Sequence, residues 1–197
     1  LLFNDITLLG IDAALRNPPF NSPRRIEFIG DSISDYDRAR PVGEGNGIGR
    51  SYVANVAALL GCMYPELQLR ITNMGISGNT SRDLLARFDR DVVELHPDWV
   101  SICIGINDVW RQFDCPAITE RHVLPDEYRK NVETMIEKVK GSVKGIFLLS
   151  PYIMEPNPED KMRSRLDEYV AICAELAEKH GCIYVDFQKM YADYCKI

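Results

Sequence analysis

The sequence is short of the residues that usually announce a site. Its 197 residues include three histidines and two tryptophans, and its six cysteines (Cys62, Cys103, Cys115, Cys173, Cys182, Cys195) contain no CxxC pair. No cluster of Cys and His has the spacing of a zinc site, so no metal is expected. Cys103 falls in an apolar run and Cys173 in a helical pattern, where reduced thiols usually lie, which points to a cytoplasmic protein. No apolar run approaches the roughly 20 residues that span a bilayer, and no charged-then-apolar leader opens the sequence, so no membrane is expected. The net charge of −6 argues against a nucleic-acid partner, which needs a basic face. There is no internal repeat and no low-complexity tract. What remains is ordinary globular composition, 46% hydrophobic and 26% charged, in a length suited to one compact domain.

The pattern along the chain alternates between strand and helix. Residues 1–24 read as an extension ahead of the first strand, either an arm against a neighbouring subunit in a homo-oligomer or the end of a preceding domain. Strand patterns follow at Arg25–Gly30, Leu69–Met74, Trp99–Ile104, Gly145–Leu149 and Cys182–Asp186. Between them run helix patterns from Tyr52 to Leu60 with Gly61 as the cap, Arg82 to Leu95, Asp126 to Lys140, and about Pro158 to His180. In the second helix Leu84, Leu85, Phe88, Val92 and Leu95 share one face, and Thr80 or Ser81 can cap it. A short helix is expected after the last strand. This alternation predicts a three-layer α/β/α domain over residues 25–197, on a five-stranded parallel sheet, doubly wound. The Gly-rich stretch from Asp35 to Gly49 lacks the spacing of a dinucleotide fingerprint and reads as a mobile active-site loop.

Three of the strand patterns stop on polar turns that contain glycine: Gly30-Asp31-Ser32, Gly75-Ile76-Ser77-Gly78 and Gly105-Ile106-Asn107-Asp108. A parallel sheet delivers all three turns to its carboxyl edge, where ligands bind. The first turn alone has two readings, a nucleophile or a helix cap. The other two favour the nucleophile, because acyl transfer also needs hydrogen-bond donors aimed at the developing oxyanion. Ser32 can supply Oγ and an N–H, Gly75 a second N–H, and Asn107 a side-chain amide. Gly30 is expected to let the backbone bend, and Gly75, lacking a Cβ, to let an acyl group approach. Asp31, Trp110 and Arg111 are the candidate substrate contacts. Asp31, Asp35 and Asp37 superficially suggest paired glycosidase carboxylates, but with Arg38 and Arg40 beside them they read as an Arg-paired face.

These turns resemble the blocks of the SGNH (GDSL-type) hydrolases. Asp37–Pro41, Asn73–Thr80 and Ile104–Gln112 further resemble the intracellular acetyl-xylan esterases of that superfamily. The resemblance, over roughly residues 25–190, implies a flavodoxin-like sheet and serine-dependent deacetylation of acetylated xylo-oligosaccharides without a cofactor. It makes Ser32 the nucleophile, with the Ser32 N–H, Gly75 N–H and Asn107 amide as the oxyanion hole. The blocks do not fix acyl length, so a lysophospholipase or thioesterase is the alternative enzyme. One departure matters: the family's Asp-x-x-His, the base and its orienting acid, is not present through Ile197. We expect it in a segment beyond that residue; otherwise the chain is a non-catalytic carbohydrate-binding relative. His96 and His180 belong at the opposite sheet edge, and His122 lies on the right side but without a carboxylate at the expected spacing.

Overall fold

The computed structural model describes residues 24–195. The reading of residues 1–24 as an extension therefore lies outside the described residues, Arg24 excepted. A six-stranded sheet organises the rest, in the order β2-β3-β1-β4-β5-β6. Its strands are β1 (Arg25–Gly30), β2 (Gly43–Glu44), β3 (Arg70–Asn73), β4 (Trp99–Cys103), β5 (Gly145–Leu149) and β6 (Ile183–Val185). All five expected strands form, every pairing among them is parallel, and their order is the flavodoxin-like one. The sixth strand, β2, is a correction: two residues of the Gly-rich stretch pair antiparallel with β3, Gly43 opposite Asn73 and Glu44 opposite Thr72.

Side-chain alternation divides the core into two layers. Val100, Ile102, Ile104, Ile146 and Leu148 face one side. There they meet α3 (Ser81–Asp91), α5 (Pro125–Val139) and α6 (Lys161–His180) through Leu84, Phe88, Val132, Ile136, Leu166 and Leu176. Ile26, Phe28, Cys103, Phe147 and Leu149 face the other side. They meet α2 (Tyr52–Met63) and α7 (Phe187–Tyr194) through Val53, Leu60 and Phe187. A period of two in a strand with both faces covered produces this near-continuous apolar reading.

Helix ends follow local chemistry. Thr80 and Asp83 form a capping box at the start of α3, as the sequence allowed, but α3 stops at Asp91 and a 3-10 turn carries the chain through Leu95. Helix α2 runs through Gly61 to Met63, so that glycine is not its cap. The third polar turn is also revised: Ile106–Asp114 forms a helix, α4, with Asn107 and Asp108 in its first turn.

Candidate active site

In the turn after β1 the helix-cap reading holds, at Asp31. Asp31 caps the four-residue helix α1 (Ser32–Asp35) by accepting from the Ile33 N–H at 2.9 Å, and this cap places Ser32 in the exposed first turn. Neither the Ser32 N–H nor its Oγ has a hydrogen-bond partner among the described residues. Asp31 itself is fully buried, so its place is beneath Ser32 and not on a surface that a sugar could touch. Its Oδ2 has no partner, and burial pushes its carboxyl up to about 7. Gly30 stays within the strand. What it needs is the absence of a side chain, since a Cβ there would stand 2.3 Å from the Cys103 carbonyl oxygen.

The second turn packs directly on the first. A Cβ on Gly75 would stand 2.5 Å from the Asp35 N and 2.9 Å from the Ser34 carbonyl carbon. The missing side chain therefore makes room for the backbone of α1, in place of the incoming acyl group expected from sequence. Asn73, fully buried, ties the two turns by donating to the Ser34 and Ile48 carbonyls at 2.6 and 2.9 Å. Its Oδ1 accepts the Gly75 N–H at 2.9 Å. Asp35 adds a second tie, accepting from the Ser77 N–H and Oγ at 2.8 Å each and from Arg40 at 2.6 Å. Burial alone would raise the Asp35 carboxyl; Arg40 and the two Ser77 bonds outweigh it, so it titrates below the ordinary aspartate range.

Asn107 completes the cluster. Its Nδ2 donates to the Asn79 carbonyl at 3.0 Å, and a carbonyl can only accept, which fixes the amide's orientation and leaves one hydrogen to direct outward. Asp108 anchors this helix start to the second turn. It accepts the Ser81 N–H at both oxygens (3.0 and 2.9 Å), and Ser81 Oγ also donates to it. Burial lifts the Asp108 carboxyl to about 7 against those bonds. The three turns are thus one hydrogen-bonded body, bringing Ser32, Gly75 and Asn107 to a common edge.

The Gly-rich stretch is tied to that body, contrary to the mobile loop expected. Arg38, buried, donates to the Gly75 carbonyl at 2.6 Å and to the Ala39 and Pro41 carbonyls at 3.1 and 2.6 Å. The acidic cluster is Arg-paired: Asp35 with Arg40, and Asp37 with Arg50. Arg38, Asn73 and Arg87 were not singled out from sequence. A buried polar side chain whose partners are backbone carbonyls leaves no spacing pattern; the only hint was the Arg87–Asp91 pair at i,i+4.

Trp110 is 49% exposed on α4, and Arg111 beside it pairs with Asp114, with its guanidinium near Gly78. An apolar groove of about 510 Å³ is lined by Ile33, the residue after Ser32, with Tyr52, Tyr152, Met154, Phe187, Tyr191 and Tyr194. No histidine is bonded to Ser32 among the described residues. His180 bonds Glu133 at 2.8 Å, His122 faces the Cys115 carbonyl at 3.0 Å, and His96 is exposed just before β4. Glu133, Glu137 and His180 are the one group among the described residues with ligand atoms close enough to share a cation. They sit at the far edge, and Lys179 already pairs with Glu133 at 2.6 Å. The six cysteines are all free, and no helix among the described residues is long and apolar enough to cross a membrane.

Sheet order, the three interlocked turns and their place at the carboxyl edge define a protein of SGNH-hydrolase architecture. The chain belongs to the GDSL-like Lipase/Acylhydrolase family, whose model matches residues 28–195. It is 48% identical over 177 residues to an acetylxylan esterase of Geobacillus stearothermophilus, covering 89% of this chain and 81% of that protein. The crystal structure of that enzyme superposes with a TM-score of 0.87 at 47% identity, over 90% of this chain and 82% of the other. Its solved forms include catalytic mutants in which a serine, an aspartate or a histidine is replaced by alanine. An alpha/beta hydrolase from the metagenome of Lake Arreo, Spain, matches with a TM-score of 0.86 at 46% identity, over 90% of this chain and 83% of that one.

Proposed function

We propose that the protein is a cytoplasmic serine esterase that removes O-acetyl groups from xylo-oligosaccharides. The observation that carries this reading is the exposed Ser32, with an unpartnered N–H, at an edge where the Asn107 amide is held in one orientation. Ser32 Oγ attacks the ester carbonyl, and its proton passes to a general base. The carbonyl oxygen, now negative, takes hydrogen bonds from the Ser32 N–H and the free hydrogen of Asn107 Nδ2. The Gly75 N–H joins them by sharing its present bond to Asn73 Oδ1. Each such donor is worth about 3 kcal/mol of transition-state stabilisation. Collapse expels the sugar hydroxyl, and water then hydrolyses the acetyl-enzyme. No step calls for a cofactor. Residues 25–197 would hold the nucleophile and oxyanion half of the machine. The activating Asp-x-x-His would lie outside them, which reading the coding sequence past Ile197 tests. Trp110, exposed at the same edge, supplies a face for a xylose ring, with Arg111 beside it. The acetylated xylan named for the Geobacillus enzyme is the reason for choosing this sugar.

In the full-length protein, with any segment encoded past Ile197 included, Ser32→Ala should abolish hydrolysis of p-nitrophenyl acetate and of acetylated xylobiose. Full activity in that variant would overturn the assignment, and an inert parent protein would favour the non-catalytic carbohydrate-binding reading. One observation favours a second enzyme: the apolar groove that begins at Ile33, the residue after Ser32, has room for a longer acyl chain, as a lysophospholipase or thioesterase needs. Faster turnover of octanoate than of acetate esters would select it.

A further inference from the structure

Arg87 ties several parts of this edge together from one side chain. It projects from α3 with only 9% of its side chain exposed, and four of its five N–H donors are engaged. Nη1 donates to the Met74 carbonyl at 2.8 Å and to Asp91 at 2.7 Å. Nη2 donates to the Gly30 carbonyl at 3.0 Å, and Nε to the Asn79 side-chain oxygen at 2.7 Å. Asp91 pairs with it one helical turn on and fixes the guanidinium in place.

The acceptors are what matter. The Met74 carbonyl and the Gly75 N–H are opposite ends of one peptide group. A cation on the carbonyl fixes the plane of that peptide and polarises it, which strengthens the N–H as a donor. The Gly30 carbonyl belongs to the peptide that leads into Asp31 and Ser32. Asn79 is the residue whose own carbonyl receives Asn107 Nδ2. One planar fork therefore reaches the ends of β1 and β3 and the support of the Asn107 amide. A lysine, with a single ammonium, could not span these acceptors.

We propose that Arg87 is the positioning residue of the oxyanion site, orienting and polarising the Gly75 peptide and fixing the Asn107 amide through Asn79. The inference rests on the esterase reading above. Because Arg87 acts on the donors and does not touch the substrate, its loss should lower kcat and leave KM nearly unchanged.

The test uses the full chain with p-nitrophenyl acetate, comparing Arg87→Gln, Arg87→Lys, Asn107→Ala, Ser32→Ala and the double variant Arg87→Gln/Asn107→Ala. Arg87→Gln should lose kcat by about 10- to 100-fold with KM within about two-fold, since it weakens oxyanion donors without removing one. Arg87→Lys, keeping the charge without the fork, should fall between it and the parent. With Asn107 already gone, part of what Arg87 supports is missing, so Arg87→Gln should cost at least about three-fold less than in the parent. Circular dichroism checks that each variant folds; if Arg87→Gln does not, Arg87→Lys carries the same comparison. An unchanged kcat in a folded variant, or losses that multiply in the double variant, would overturn the proposal. The two layers separate cleanly. Parent-like turnover by Ser32→Ala defeats the esterase reading, and Arg87 with it. An inactive Ser32→Ala beside an unimpaired Arg87→Gln defeats the Arg87 proposal alone.

Discussion

Replacing Glu27 with glutamine should stabilise the protein at neutral and alkaline pH while leaving it nearly unchanged in mild acid. Glu27 stands in the middle of β1, 3% exposed, between Thr72 and Val100 on the flanking strands. Thr72 donates to one carboxyl oxygen, and the other has no partner. Burial is the largest influence and pushes the group from 4.5 to about 8, against the Thr72 bond and a distant attraction to Arg38. The folded protein thus keeps a proton that the unfolded chain gives up above pH 4.5. A raised folded pKa contributes stability that is complete below the unfolded value and is lost as pH climbs through the folded one. Each pH unit in that window corresponds to about 1.4 kcal/mol, so by pH 7 the wild type has given up at most about 3 kcal/mol through this one residue. Glutamine carries no such proton. At pH 7 the variant should be the more stable by up to about 3 kcal/mol, or roughly 6–12 °C in Tm for a chain of this size. At pH 4.5 the two should unfold within about 1 kcal/mol of each other. Urea unfolding at pH 4.5, 6, 7 and 8 measures the difference. Parallel stability curves for wild type and variant would refute the reasoning, because they would mean that Glu27 ionises alike in both states.

Asp31 and Asp108, both lifted to about 7 by burial, act with the same sign as Glu27, whereas Asp35, Asp91 and Asp98 are held low and lose their contribution as pH falls. The wild-type Tm should therefore peak in mild acid, near pH 5, and decline toward pH 8; a calorimetric scan series with its maximum above pH 7 would contradict this. Gly75→Ala forces a methyl against the α1 backbone, which has no flexible end to yield, and should cost about 1–3 kcal/mol or more while displacing Ser32. Its thermal unfolding should drop by several degrees and its turnover of p-nitrophenyl acetate should largely vanish; a parent-like Tm would show that α1 gives way easily. Trp110→Ala should raise KM for acetylated xylo-oligosaccharides by about 5- to 30-fold, as loss of about 1–2 kcal/mol of ring stacking implies, and leave the aryl acetate KM alone. Equal effects on both esters would remove Trp110 from the sugar site.

The parts of this molecule legible in sequence are those governed by period and punctuation. Strands buried on both faces read as apolar runs, and the glycine turns that end them marked the carboxyl edge in the right order. A cap at Thr80 or Ser81 was legible from residue type at the start of the pattern, and the structure settles on Thr80, with Asp83 completing a capping box. What stayed hidden depends on distant partners. Strand β2 is two residues long and exists only because β3 offers it an edge. Helix α4 starts at Asn107's own turn, where polar residues and a glycine look like loop until Asp108 is seen bonded to Ser81, 27 positions earlier. The apolar pattern of α2 carries it past Gly61, where a Cβ would meet nothing within 4 Å, so that glycine answers to no packing constraint.

The same distinction explains why the turn that carries Ser32 could be read and its supports could not. A residue proposed as a nucleophile has to be displayed, so it sits at a strand end, on a turn, with a small neighbour. The groups that hold it have to be buried, and burial removes them from any surface pattern. Asp31 is the clearest case: sequence left it between helix cap and substrate contact, and the fold makes the cap the means by which Ser32 is presented. Capping α1 fixes the direction of its first N–H groups, Asn73 and Asp35 then lock α1 to the Gly75 turn, and Asp108 locks that turn to Asn107. Preorganisation of this kind needs polar groups kept out of water, which is why three of the carboxylates involved or nearby (Glu27, Asp31 and Asp108) carry raised pKa values. The loss of stability at alkaline pH and the rigidity of the candidate oxyanion site thus have a common origin, and a variant that relieves the first at Asp31 or Asp108 should loosen the second, whereas Glu27, outside the three turns, should relieve the first alone.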